Sequence, residues 1–183
     1  MTDAELVSLW KEDDPRGFDE LYERYKNEAF RVAVLITGNC SDAEDLTQEA
    51  FIACAGSIRS LKDNSKFRAW LLRSVTRASW KYCKKRNREQ PTSEFFEAGT
   101  VLSPQHALFK NEVQRTLYHA LYTLDDKKRN VIILYYFEEL SVKEIAIVLG
   151  VMEGTVKSRL FSARNALRKE LTALQPDIKE MFL

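Results

Sequence analysis

The stretch from Leu140 to Leu171, LSVKEIAIVLGVMEGTVKSRLFSARNALRKEL, decides the fold. Ser141 stands where a helix cap is wanted, and Glu144 comes three residues later. In that pattern each side chain satisfies a free backbone amide of the other residue. Val142, Ile145, Ala146 and Leu149 then share one helical face. Gly150 falls where this helix must stop, at a turn that needs a positive φ. A second helix starts near Glu153. Val156, Leu160, Ala163, Leu167, Leu171 and Leu174 make its narrow apolar stripe. The opposite face carries Ser158, Phe161, Ser162, Asn165 and Lys169, flanked by Lys157, Arg164 and Arg168.

A small residue at Ala146, glycine at Gly150 and a β-branched residue at Val156 are what two steeply crossing helices require. The small side chain allows close approach, and Val156 plugs the crossing. The pattern is a helix-turn-helix, whose second helix enters the DNA major groove. A helical hairpin that merely packs is the competing reading. It leaves unexplained an outward face that is basic and hydroxylic, with one acid, Glu170, near its end. Phosphates are met by Lys and Arg, and base edges by hydroxyls, amides and apolar contacts to the thymine methyl.

The chain has 183 residues, room for one domain or two small ones. Its longest apolar run, Val131 to Phe137, is too short to span a bilayer, so no membrane insertion is expected. The N-terminus is acidic, with Asp3 and Glu5, and lacks a signal-peptide pattern; the expected location is cytoplasmic. Cys40, Cys54 and Cys83 are odd in number and unpatterned. They read as buried thiols in a reducing compartment. A zinc site does not fit, with His106 and His119 far off in sequence, and no metal or cofactor is expected.

Net charge is +1, but the charges are segregated. Residues 1–50 hold thirteen acids against five basic residues. Residues 73–88 hold seven basic residues and no acid. Such segregation points to separate surfaces for separate partners.

Upstream of the helix-turn-helix, the whole chain reads as helices. Thr2 and Glu5 make a capping box for a short first helix. Asp14 followed by Pro15 is a helix start. Phe18, Leu21, Tyr22, Tyr25, Ala29, Ala33 and Ile36 keep period until Gly38. Ser41 and Glu44 are a further capping box, for a helix with Ala43, Leu46, Thr47, Ala50 and Cys54 inside. Asp42, Asp45, Gln48, Glu49 and Ile52 lie outside.

Residues 56–64 read as a polar, basic loop. A long helix is expected from about Ser65 to Arg88, with Phe67, Leu71, Val75, Ala78 and Tyr82 as its core stripe. Arg73, Arg77, Lys81, Lys84 and Arg88 make a basic stripe about 120° away by the helical period. Trp70 and Trp80 fall near that stripe; each can either pack at the edge of the bundle or face a partner, and Trp70 is expected to pack. Four such helices close a small bundle.

Residues 90–104, QPTSEFFEAGTVLSP, break period and read as a linker. Val113, Leu117, Ala120, Leu121 and Leu124 resume it. The run from Val131 to Phe137 has strand-like composition, but Asp125 to Arg129 precedes it as a polar first turn, so a helix is expected. The fold class is all-α: an N-terminal helical bundle at 1–89, a linker at 90–106, and a helix-turn-helix domain at 107–183 that ends in a short tail.

Three motifs in this order, SDAEDLTQEAFI at 41–52, KFRAWLLRSV at 66–75 and the opening stretch at 140–171, resemble the bacterial sigma factors of the extracytoplasmic-function group. The resemblance covers nearly the whole chain. It implies two helical domains, the second and fourth of larger sigma factors. It also implies binding to core RNA polymerase through the β′ clamp helices and the β flap, recognition of −10 and −35 promoter DNA, and control by an anti-sigma factor. A stress or envelope-related regulon goes with it.

By the same resemblance, Asp42, Asp45, Gln48, Glu49 and Ile52 dock on the clamp helices. An exposed acidic row with an apolar rim suits a basic coiled coil. The basic helix with Arg73, Arg77, Trp80, Lys81, Lys84 and Arg88, together with the loop before it, handles the −10 element. Relatives melt the duplex there and hold the non-template strand, with one base in a pocket formed partly by the loop. Base stacking on aromatic rings, with cations along the phosphates, suits a single strand. In the recognition helix the base-reading positions match Lys157, Ser158, Phe161 and Ser162. Arg159 and Arg164 match positions used for phosphates or packing. Many relatives carry asparagine and aspartate where this chain has Arg77 and Lys81, and arginine or histidine where it has Ser162, so neither the −10 nor the −35 sequence carries over. Asp125 stands where many carry proline and bears only on a helix start, where aspartate caps well.

Two rival functions compete with this reading. A dimeric helix-turn-helix regulator acting on duplex DNA would need a dimerisation or sensor element, and the basic stripe would have no task in it. An enzyme with a carboxylate-bound metal at Asp42, Asp45 and Glu49 would need a nucleophile or histidine that the sequence does not supply nearby. The expected protein is not an enzyme.

Overall fold

The computed structural model describes residues 1–89 and 112–174, with side chains over 1–86 and 116–172. Among the described residues every regular element is helical. They form two units, the first built from α1 (Asp3–Lys11), α2 (Pro15–Thr37), α3 (Cys40–Ser57) and α4 (Phe67–Glu89). The linker expected at 90–106 and the tail at 175–183 lie outside the described residues.

Local rules fix most helix starts. Thr2 and Glu5 exchange capping bonds at the head of α1. Asp14 caps α2 with Pro15 at its first position, and Gly38, at φ 73°, ends it in the left-handed region. One cap differs from expectation. Asn39, not Ser41, opens α3, its side-chain oxygen accepting from the Asp42 amide at 3.1 Å. Gly38 turns the chain so sharply that the very next residue is already extended and able to cap.

The connection after α3 is also more ordered than a polar loop. Gly56 belongs to α3 itself. Two 3-10 turns follow, Ile58–Ser60 and Asn64–Lys66, and the buried side chains of Ile58 and Leu61 pin the segment. Asp63 caps the second turn through the Ser65 amide and hydroxyl, and the long helix starts at Phe67.

The core of this unit is mainly aliphatic, with Leu6, Leu21, Leu35, Leu71 and Leu72 fully buried, and an aromatic cluster packs around the buried Phe51 and Phe67. Trp10 meets Phe18 edge-on at 5.0 Å between ring centroids, and Phe67 at 5.9 Å. Tyr22 meets Phe51 at 4.9 Å. Phe67, Leu71 and Val75 are buried as the apolar stripe of α4 predicts, while Ala78 and Tyr82 are only half-buried. Leu72, Thr76, Ser79 and Cys83 are buried as well, so the inward face of α4 is wider than the expected stripe. All three cysteines are free and buried.

The second unit holds α5 (Glu112–Tyr122), α6 (Asp126–Ile132), most of α7 (Val142–Leu149) and α8 (Glu153–Leu174). Asp125 caps α6 through the Lys128 amide at 2.9 Å, and the Lys128 ammonium, also 2.9 Å away, holds its carboxyl below the usual carboxylate range with help from that amide. The run from Val131 to Phe137 is helical but not uniformly α. From Ile133 to Phe137 it widens into a π turn, closed by the Glu138 amide on the Ile133 carbonyl at 3.2 Å. Glu139 at φ 52° then ends it.

The helix-turn-helix forms as its sequence requires. Ser141 and Glu144 exchange capping bonds, the Glu144 carboxylate accepting from the Ser141 amide at 2.9 Å. Gly150 turns at φ 65°. Ala146, Val156, Leu160, Ala163 and Leu171 are buried. No helix among the described residues is long and apolar enough to cross a membrane.

Candidate nucleic-acid interface

The outward face of α8 is built as an open contact surface. Lys157, Ser158, Phe161, Ser162 and Arg164 are exposed, and Arg159 is half-buried at the edge of the face. Phe161 is 68% exposed, a ring with no core to enter. A large apolar side chain held in water at the centre of a polar face fits contact with an apolar base edge such as a thymine methyl. Ser158 donates its hydroxyl to the Thr155 carbonyl at 3.0 Å, which leaves its oxygen as an acceptor.

Arg164 has partners that its sequence position does not announce. Its guanidinium carbon lies 5.6 Å from the ring centre of Tyr135 and 5.8 Å from that of Tyr136. The two rings meet edge-to-face at 4.9 Å. The π turn presents both tyrosines, and rings so placed hold the cation in one region of the face. A helical wheel drawn at 3.6 residues per turn misplaces this pair, because the π turn shifts its phase.

In the first unit the cations of α4 line a groove against α3. Its volume is about 370 Å³. Arg73, Arg77 and Lys81 line one wall with Trp70 and Ser74, and Glu49, Ala53 and Cys54 line the other. Arg77, Lys81 and Lys84 are exposed and Arg73 is half-buried. The side chain of Arg88 lies outside the described residues. Burial pushes the Cys54 thiol up to about 12, with the Ser74 hydroxyl opposing, so the groove wall is neutral there.

Of the two tryptophans near the stripe, Trp70 lines the groove and sits 6.2 Å from Phe67. Trp80 does not line it. It is half-buried with its indole N–H enclosed and unpartnered among the described residues.

The acidic row on α3 divides. Asp45, Gln48, Glu49 and Ile52 are exposed, Ile52 by 72%. Asp42 instead faces α4. Its carboxylate lies 3.6 Å from Arg86, whose guanidinium also sits over the Tyr82 ring at 5.9 Å. Burial and the neighbouring Asp42 raise the Tyr82 hydroxyl above its usual range. Asp42, Asp45 and Glu49 therefore do not converge on one point. Among the described residues no three His, Cys, Asp or Glu side chains gather as a metal site would need.

Comparison with known proteins covers both units. Residues 21–89 match the family model Sigma-70 region 2, and residues 114–167 match Sigma-70, region 4. The RNA polymerase sigma-H factor of Pseudomonas aeruginosa is 32% identical, over 97% of this chain and 96% of its own. The ECF RNA polymerase sigma factor SigW of Bacillus subtilis is 32% identical, over 90% of this chain and 94% of its own. Among solved structures, the sigma factor RpoE in complex with the anti-sigma factor NepR from Bartonella quintana superposes with a TM-score of 0.70 at 25% identity. That match covers 85% of this chain and 96% of that one. CnrH, solved with the cytosolic domain of CnrY, shares the fold at a TM-score of 0.73 and 23% identity, over 93% and 97% of the two chains.

Proposed function

Because the chain belongs to the extracytoplasmic-function RNA polymerase sigma factors, a group of transcription initiation factors, we propose that its surfaces divide the work of promoter recognition between them. Residues 1–89 dock on core polymerase and handle the −10 element. Residues 90–106 link them to residues 107–183, which read the −35 element. The protein works in the cytoplasm and has no catalysis of its own. An anti-sigma factor is a further partner, a reading supported by the Bartonella relative solved with one.

One observation carries this reading above the others: a single chain holds two DNA-suited surfaces of different kinds. The face of α8 suits the edges of an intact duplex, with exposed hydroxyls, Phe161 and flanking cations. The groove beside α4 suits an unwound strand, with a recess, the Trp70 ring and a row of cations. A regulator that binds duplex DNA alone has no use for the second.

On this reading Asp45, Gln48, Glu49 and Ile52 meet the β′ clamp helices, and Asp42 supports them by tying α3 to α4 through Arg86. The second unit meets the β flap. Arg73, Arg77, Lys81, Lys84 and Arg88 follow the phosphates of the −10 strand. Trp80, enclosed at its N–H, supports α4 rather than stacking on a base. Lys157, Ser158, Phe161 and Ser162 read the −35 element, while Arg159 and Arg164 hold its backbone.

Transcription in vitro with purified core polymerase tests the whole. The wild-type protein should select promoters, and sequencing of the selected set defines the regulon. Permanganate footprinting should show melted thymines at the −10 element. Arg77→Ala with Lys84→Ala should weaken promoter binding and lower its salt slope by about 1.4 to 1.8, as expected for two lost phosphate contacts to single- or double-stranded DNA. Normal opening by that variant would remove α4 from the mechanism.

The −35 assignment has its own test. Lys157→Ala should reduce the salt slope by about 1 if the lysine meets a phosphate. If it meets a base, discrimination at one position should fall by roughly 1–3 kcal/mol. Phe161→Ala should relax specificity at one base pair by a similar roughly 1–3 kcal/mol. Core-polymerase binding should survive both. Unchanged promoter affinity and specificity in both variants would exclude α8 as the reading helix.

A further inference from the structure

The segment that leads into α4 is held from a distant part of the chain. Lys11, the last residue of α1, donates from its ammonium to the Leu61 carbonyl and to the Asn64 side-chain oxygen, each at 2.6 Å. Both bonds are partly buried. Asn64 in turn donates to the Ser8 hydroxyl at 2.9 Å, and Arg59 pairs with Asp13 at 2.8 Å. Four contacts therefore run from three residues, Ser8 and Lys11 of α1 and Asp13 of the turn after it, to residues 58–66. Lys11 lies outside the stretch that matches Sigma-70 region 2.

This arrangement does more than fill space. Ile58 and Leu61 already bury the segment's apolar side chains. What Lys11 adds is a fixed backbone: a cation at a carbonyl and an amide oxygen sets the course of the chain between the two 3-10 turns. Arg59, Ser60, Lys62, Asp63, Ser65 and Lys66 are left exposed along that course. Ser57, one residue before it, lines the groove, and Phe67, one residue after it, starts α4. The segment thus joins the two helices that wall the groove, running from Ser57 on α3 to the start of α4 a few residues before Trp70, and its exposed side chains can meet an unwound strand beside the groove only in the register the backbone allows. A connection fixed before binding does not have to be ordered during it, and that saving appears as affinity and discrimination.

We propose that Lys11 is a positioning residue for promoter opening: α1 holds residues 58–66 in the shape that captures the non-template strand. The proposal rests on the assignment of the α4 groove to the −10 element. Lysine suits the task, because its compact ammonium offers three donors that adapt to two acceptors of different geometry.

The test compares wild-type, Lys11→Met and Lys11→Arg proteins with core polymerase on one selected promoter and on single-base variants of its −10 element. Lys11→Met keeps the aliphatic stem and removes the donors. It should reduce open-complex formation roughly tenfold, the scale of lost charge-assisted hydrogen bonds, and flatten discrimination among the −10 variants. Affinity for core polymerase and for a −35 duplex should not change. Lys11→Arg should restore part of the discrimination. A role confined to fold stability would lower the melting temperature and leave the ranking of −10 variants as it was.

A second variant guards against a Lys11→Met protein that does not fold. Ser8→Ala with Asp13→Asn weakens the outer tethers at exposed positions by deleting the hydroxyl that accepts from Asn64 and the charge that pairs with Arg59, and asparagine tolerates the left-handed backbone of Asp13, at φ 63°. It should move the −10 ranking in the same direction by a smaller factor. Wild-type ranking and opening in both variants would overturn the proposal. Failure of the wild-type protein itself to open any promoter would overturn the sigma-factor assignment of the groove instead.

Discussion

Asp45→Arg combined with Glu49→Arg abolishes co-purification with core RNA polymerase: this is the largest functional effect expected from any pair of surface changes in the protein. Both side chains are exposed on α3, one helical turn apart, beside Gln48 and the 72%-exposed Ile52. A basic partner surface that met two carboxylates would meet two guanidiniums. Like charges in an interface cost several kcal/mol, so affinity should fall by at least about a hundredfold. The fold should not suffer. Arginine is a good helix former, and exposed substitutions usually change stability by about 0.5 kcal/mol or less. Circular dichroism should show unchanged helicity.

The single variants separate two roles. Glu49 also lines the groove with Arg73, Arg77 and Lys81, whereas Asp45 does not. Asp45→Arg alone should therefore weaken polymerase binding and spare the isolated protein's affinity for single-stranded DNA. Glu49→Arg should weaken the first and raise the second. A double variant that co-purifies at wild-type affinity would move the docking surface off α3.

The largest effect on stability is expected at Gly17. It is the third residue of α2, where the helix returns past α1. A Cβ there would stand 2.4 Å from the Leu6 carbonyl oxygen and 2.5 Å from the Trp10 amide nitrogen. Both are backbone atoms and cannot swing aside. Gly17→Ala must therefore push α1 away from α2, and Trp10 with it, out of contact with Phe18 and Phe67. The cost should reach about 3 kcal/mol, the upper part of the range for an overpacked core. A displaced α1 also carries Lys11 away from Leu61, so promoter opening should fall along with stability.

Gly56 is the internal control. It lies in α3 with open space around its Cα. Gly56→Ala should raise stability by about 0.4–1 kcal/mol, because alanine restricts the unfolded chain and fits a helix. Denaturant unfolding of both variants checks the pair. A Gly17→Ala protein as stable as wild type would mean that α1 and α2 can separate at no cost.

What the sequence by itself determined is local. The caps at Thr2, Asp14 and Ser141 and the left-handed glycines Gly38 and Gly150 follow from groups no more than a few residues apart. The burial of Val156, Leu160, Ala163 and Leu171 on α8 and the exposure of Lys157, Phe161 and Ser162 follow from helical period alone, because a helix fixes which side chains share a face, although Leu167 of the same stripe is only half-buried. The two helical units and the family were legible for the same reason: their motifs are contiguous.

The tertiary structure decided what depends on atoms brought together from far along the chain. Period put Asp42 in the acidic row with Asp45, but Arg86, forty-four residues on, turns it toward α4. Period put Trp80 beside the basic stripe as readily as Trp70, but only Trp70 borders the groove. The π turn at Ile133–Phe137 breaks the 3.6-residue phase, so the meeting of Tyr135 and Tyr136 with Arg164 could not be drawn on a wheel. The hold of Lys11 on Leu61 and Asn64 spans some fifty residues. No short-range rule reaches that far, because such a bond exists only once packing has brought α1 against the start of α4.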